Sequence, residues 1–87
     1  MNLNEVKERL EKANEVSIIV SIIDNELNVY MKKRKRLSSI ETNLQCTLVN
    51  NSIKVIAADE IGYGEWYDLD DEDKSYYERF LNKLIAQ

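Results

Sequence analysis

Val16-Ser17-Ile18-Ile19-Val20-Ser21-Ile22-Ile23-Asp24-Asn25-Glu26-Leu27-Asn28-Val29-Tyr30-Met31 reads as two strands joined by a two-residue turn. Successive residues of a strand point to opposite faces, so Val16, Ile18, Val20 and Ile22 share one side. Ser17 and Ser21 alternate with Ile19 and Ile23 on the other. Asp24-Asn25 suits a type I′ turn, whose two central residues both take positive φ. Such a loop sets the register: Ile22 faces Leu27, Val20 faces Val29 and Ile18 faces Met31, all apolar pairs. Ser21 then faces Asn28, and Ile19 faces Tyr30. A slip of one residue would bury the polar set, so pattern and turn specify the same pairing. As the most apolar and β-branched run, residues 16–23 are expected to form the central strand.

A second hairpin repeats this logic. Ile40, Leu44, Cys46 and Leu48 alternate with Glu41, Asn43, Gln45 and Thr47, and Asn50-Asn51 is the turn. Its register pairs Leu48 with Ile53, Cys46 with Val55 and Leu44 with Ala57, and Ser38-Ser39 is expected to connect the two hairpins. Residues 61–67 hold Gly62, Tyr63, Gly64, Trp66 and Tyr67, read as a bulged fifth strand or an irregular aromatic segment with bulge glycines.

Helices are expected at both ends. Leu3, Val6, Leu10 and Ala13 recur at helical spacing, with Asn2 and Glu5 placed as a capping pair and Asn14 as a left-handed stop. The narrow stripe predicts packing through one edge. From about residue 70 to 85, Tyr77, Phe80, Leu81, Leu84 and Ile85 form a second apolar face, behind a first turn crowded with Asp70, Asp71, Glu72 and Asp73. The expectation is one α+β domain over residues 1–87, in the order α-β-β-β-β-(β)-α. It is an antiparallel meander of four or five strands built from two hairpins, with both helices on one face.

Charge is segregated. Five of the 12 basic residues form one run, Lys32, Lys33, Arg34, Lys35 and Arg36, while eight of the 16 acidic residues lie between Asp59 and Asp73 with no cation among them. If the strand kept its alternation, Lys33 and Lys35 would follow Met31 onto the buried face. That would cost several kcal/mol per unpaired ammonium, of order 2–7 for a polar group alone. The strand therefore ends near Lys32 or runs past the sheet as a ribbon.

Catalytic chemistry has little to work with. The chain has no histidine, the commonest acid–base group near neutral pH and the commonest metal ligand. Cys46 sits mid-strand on the inner face as a small buried apolar residue. Gly62-Tyr63-Gly64 has no third glycine and no parallel strand–helix unit after it. Asp68, Asp70 and Glu72 begin like a calcium loop, but the sixth position is Asp73 and the twelfth Arg79, which fails the pattern. No enzyme activity, metal or cofactor is expected. A lone cysteine and the lack of a long apolar run predict a cytoplasmic protein without a membrane span or signal.

The reading is a small acidic protein-binding module whose face comprises Asp59, Glu60, Tyr63, Glu65, Tyr67, Asp68, Asp70, Asp71, Glu72, Asp73 and Tyr76. Its partner is a protein with a basic groove, since acid rows on a compact scaffold imitate a phosphate backbone. Asn-, Ile- and Lys-rich usage without Pro or His is common in AT-rich bacteria and their phages, which suggests an inhibitor or regulator of phage or mobile-element type. The alternatives are nucleic-acid binding by the run 32–36, or a homo-oligomer docking basic tip to acidic segment. Tyr77 and Trp66 are assigned to the core, with Tyr63, Tyr67 and Tyr76 exposed.

Overall fold

The structure is a computed structural model describing residues 1–13, 17–35, 38–62 and 64–87. The order is α1 (Leu3–Glu11), β1 (Ser17–Ile23), β2 (Glu26–Lys35), β3 (Ser38–Val49), β4 (Ser52–Gly62), β5 (Glu65–Asp68) and α2 (Asp71–Ile85). The five strands form one antiparallel sheet in sequence order. The expected α+β meander with terminal helices is therefore what the chain adopts, with the fifth strand present. Asn14 and Val16 lie outside the described residues.

Both hairpin turns are as expected. Asp24 and Asn25 have φ of 51° and 62°, and Asn50 and Asn51 have 51° and 64°, the signature of type I′ loops. Across the first turn Ile22 pairs with Leu27, Val20 with Val29 and Ile18 with Met31. The second turn pairs Leu48 with Ile53 and Cys46 with Val55.

The expected pair Leu44–Ala57 is not formed. A bulge shifts the register between Gln45 and Cys46, so that Gln45 meets Ala57, Leu44 meets Ala58, and Ile56 is the extra residue. A bulge reverses which residues of a strand face inward. Ala58 and Glu60 thus point to the helix side, and Ile56 is exposed.

Four further expectations are corrected. The apolar strand β1 is an edge rather than the centre, because the first strand of a meander pairs only with the second. Ser38 and Ser39 are no connector but the first residues of β3, paired with Lys35 and Arg34. Ile61 and Gly62 belong to β4, and the glycines mark a hairpin rather than a bulge: Gly62 pairs with Glu65, and Gly64 has φ 87°, a conformation L side chains rarely adopt. Trp66 is half exposed at 49%, outside the core, because its position in β5, opposite Ile61, lies on the sheet's uncovered face.

Both helices pack on one face. Val6 and Leu10 of α1 and Leu81, Leu84 and Ile85 of α2 close over inward residues of β1 to β4, among them Leu27, Val29, Leu44, Cys46 and Ile53. Asn2 caps α1 by accepting from the Glu5 amide, and Asp70 caps α2 by accepting from the Asp73 amide at 2.8 Å. Each helix also covers a sheet edge with polar side chains. In β1 the Val20 amide donates to Glu11 of α1 at 3.1 Å. The half of β4 that β5 leaves unpaired donates from Ile53 to Asn82 and from Val55 to Glu78, at 2.7 and 2.9 Å. Asn82 returns a bond to the Ile53 carbonyl at 2.9 Å. Unpaired edge groups template strand addition, so these bonds blunt the β1 edge at Val20 and the half of the β4 edge that β5 leaves open.

Candidate functional site

The basic run resolves as a ribbon. β2 continues to Lys35 paired with Ser38, beyond Ser17, where β1 starts opposite Lys32. Lys32 stands opposite Glu41 on the outer face, whereas Lys33 lies on the inner face and stays exposed because no helix covers the ribbon. Burial is thereby avoided by protrusion. Arg34 and Lys35 hold the register positions opposite Ser39 and Ser38, and Arg36 lies outside the described residues.

The acidic segment divides among three places. On the outer face Asp59 lies directly opposite Asp68. A hydrogen bond to Asp68 raises the Asp59 pKa, helped by partial desolvation and the Asp68 charge and opposed by Lys74. Trp66 shares this face two residues from Asp68, while Glu65 is exposed at the start of β5. On the inner face the bulge directs Glu60 toward α2, where Tyr67 and Tyr77 donate their hydroxyls to Oε1 and Oε2 at 3.2 and 3.3 Å. Desolvation and the Glu60 charge raise the pKa of Tyr67; burial, more than Glu60, raises that of Tyr77. At the start of α2, Asp70 to Asp73 are exposed, with Asp71 in an ion pair to Lys74 at 3.8 Å.

Among the described side chains, which do not include those of Arg34 and Lys35, two ion pairs form, Lys7–Glu11 and Lys74–Asp71. The other seven acids of the segment have no cation within 4 Å there. Tyr67 and Tyr76 are exposed as expected, at 49% and 55%, and the Tyr76 ring meets Tyr77 edge to face at 5.3 Å. Tyr77 is half-buried against the core. Tyr63 lies outside the described residues.

One feature escaped the sequence reading. A groove of about 240 Å³ opens where α1 stops covering the sheet. Nine helical residues of α1 reach about 13 Å, against about 33 Å for the ten residues of β2. Met31, Ile40 and Thr42 form its floor, Tyr76, Tyr77 and Phe80 its wall, with Lys33 and Glu60 its charged groups. The signal was present in Lys33 following Met31, but Glu60 enters only through the bulge at Ile56. Among the described residues no three His, Cys, Asp or Glu side chains are arranged to hold a metal. Cys46 is fully buried, and desolvation, with a smaller contribution from the Glu78 charge, pushes its pKa up to about 12.

Comparisons with protein-family models, with characterised proteins and with solved structures found no match.

Proposed function

We propose that this chain is a small non-enzymatic protein-binding module, an inhibitor or regulator of phage or mobile-element type acting in the cytoplasm. It presents acidic and aromatic residues to a basic groove of a partner protein. The observation that carries the reading is Trp66, half exposed between Glu65 and the Asp59–Asp68 pair in a region where, among the described side chains, one ion pair forms. Tryptophan is enriched among the few hot-spot residues that dominate protein interfaces, whose truncation costs about 2 kcal/mol or more. Eight acids within fifteen residues add steering toward a cationic surface.

The test is binding to a basic partner recovered by affinity capture, measured with purified components. Trp66→Ala weakens it by roughly 30-fold, the equivalent of about 2 kcal/mol. Asp71→Lys plus Glu72→Lys abolishes it while leaving the Asp70 cap intact. Unchanged affinity in both folded variants rejects the proposal. The ribbon offers a second reading, because Lys32, opposite the first residue of β1, and Lys33, beyond it, are both exposed. A labelled single strand titrated at several salt concentrations separates the two. Five phosphate contacts give a slope of log affinity on log salt near −3.5, at about 0.7 each. The protein-binding reading expects no such slope.

A further inference from the structure

We propose that the groove between the β2–β3 ribbon and α2 receives an arginine flanked by apolar side chains on the partner protein. The inference rests on the reading of the partner as a basic protein and names what that partner inserts. Glu60 supplies the first argument. A carboxylate has about four lone-pair positions, and here each oxygen accepts one phenol, from Tyr67 and Tyr77. One acceptor position remains on each oxygen, the fork that a guanidinium binds in two parallel bonds. The phenols hold the carboxylate in place, and among the described side chains, which do not include those of Arg34, Lys35 and Arg36, no cation lies within 4 Å of it.

The surroundings narrow the choice. Met31, Ile40 and Phe80 offer apolar contact beside the fork, which bare polycations leave unused. At about 240 Å³ the groove lies below the roughly 300–1,000 Å³ of small-molecule sites, a size for one or two side chains. Lys33 at its rim disfavours a run of consecutive cations and offers a donor to a backbone carbonyl of the inserted segment. A single arginine between leucine-like residues satisfies all of these groups; an oligolysine satisfies only the acids outside.

The experiment is a nuclear magnetic resonance titration of the full chain with two synthetic peptides at low salt. One is acetyl-Gly-Leu-Arg-Leu-Gly-amide, the other acetyl-pentalysine-amide. The arginine peptide shifts the methyl signals of Met31 and Ile40 and the ring of Phe80, whereas pentalysine shifts only amides at the start of α2. Glu60→Gln keeps an acceptor for one phenol, while the hydroxyl of the other can turn to accept from the new amide, and it weakens the arginine peptide about tenfold, as expected for losing a charged hydrogen-bond partner. Its pentalysine binding is unaltered. If the arginine peptide moves only the α2 signals, or ignores Glu60→Gln, the groove assignment is overturned while the acidic-surface reading stands. If neither peptide binds, both fall. Groove signals that move with protein concentration alone make the occupant a second copy of this chain, which also overturns the assignment.

Discussion

Asn82→Ala tests whether a helix side chain completes the β4 edge. Asn82 sits on α2, accepts from the Ile53 amide at 2.7 Å and donates to the Ile53 carbonyl and the Glu78 carbonyl, both at 2.9 Å. Alanine removes all three bonds and leaves the backbone of Ile53, whose side chain is fully buried, without partners on its free edge. Each bond contributes about 0.5–1.5 kcal/mol, and an unsatisfied group costs about 1–3 kcal/mol. Water reaches part of this edge, so the sum is about 3 kcal/mol. An 87-residue domain has about 4–13 kcal/mol of stability in all. The variant therefore folds but melts roughly 12–24 °C lower, at about 4–8 °C per kcal/mol. Thermal and urea unfolding followed by circular dichroism gives the global loss. Hydrogen exchange gives the local one, with the Ile53 amide opening roughly 100-fold more readily. A loss below about 0.5 kcal/mol with unchanged Ile53 protection would refute the reasoning, because the bonds would then contribute no more than the weakest in proteins.

Three other outcomes follow from the same structure. Cys46, fully buried with its pKa pushed up to about 12, stays unmodified by a thiol reagent at pH 8 in the native protein and reacts in urea; equal rates in both states would contradict its burial. The raised folded-state pKa of Asp59 means that the native state holds the proton more tightly than the unfolded chain, whose value is near 3.8. Its contribution to stability is present below that pH and lost as pH rises through the folded value. Asp59→Asn removes this dependence in urea midpoints measured from pH 3 to 7, and an unaltered profile would exclude Asp59 as its source. Deleting Ile56 converts the bulge into a regular ladder that keeps Gln45–Ala57 and Leu44–Ala58 as partners. The deletion variant should fold with Glu60 still near Tyr77, and a collapsed spectrum would show the bulge to be indispensable to the sheet's twist.

Local rules made much of the fold legible in the sequence. Asp24-Asn25 and Asn50-Asn51 fixed two hairpins because type I′ turns demand positive φ, and apolar alternation set the register throughout the first and as far as Cys46–Val55 in the second. The helix cap at Asn2 and the apolar stripe of α2 are equally local, whereas Asp70, read as part of the first turn, proved to be the cap of α2. Cys46 and Tyr77 were assignable because period two and period 3.6 place them inward. The bulge at Ile56 was not legible, since Ala57 and Ala58 are interchangeable to any pattern argument and packing chooses between them. The site inherited that ambiguity: Glu60 was read as one acid in a row, not as a carboxylate held by two phenols.

The sequence by itself determined the two turns, the register of the first hairpin and of the second next to its turn, both helices, the segregation of charge and the exclusion of the basic run from the core. These depend on backbone conformation and on burial cost, which neighbouring residues set. Only the tertiary structure decided that the most apolar strand is an edge, that Trp66 faces solvent, that α1 and α2 blunt the sheet edges, and that Met31, Lys33, Ile40, Glu60 and Phe80 share one groove. The reason is that hydrophobicity reports how much a residue gains from burial, not which neighbour provides it. That neighbour depends on strand order, helix length and one inserted residue, all of which act across the whole sheet.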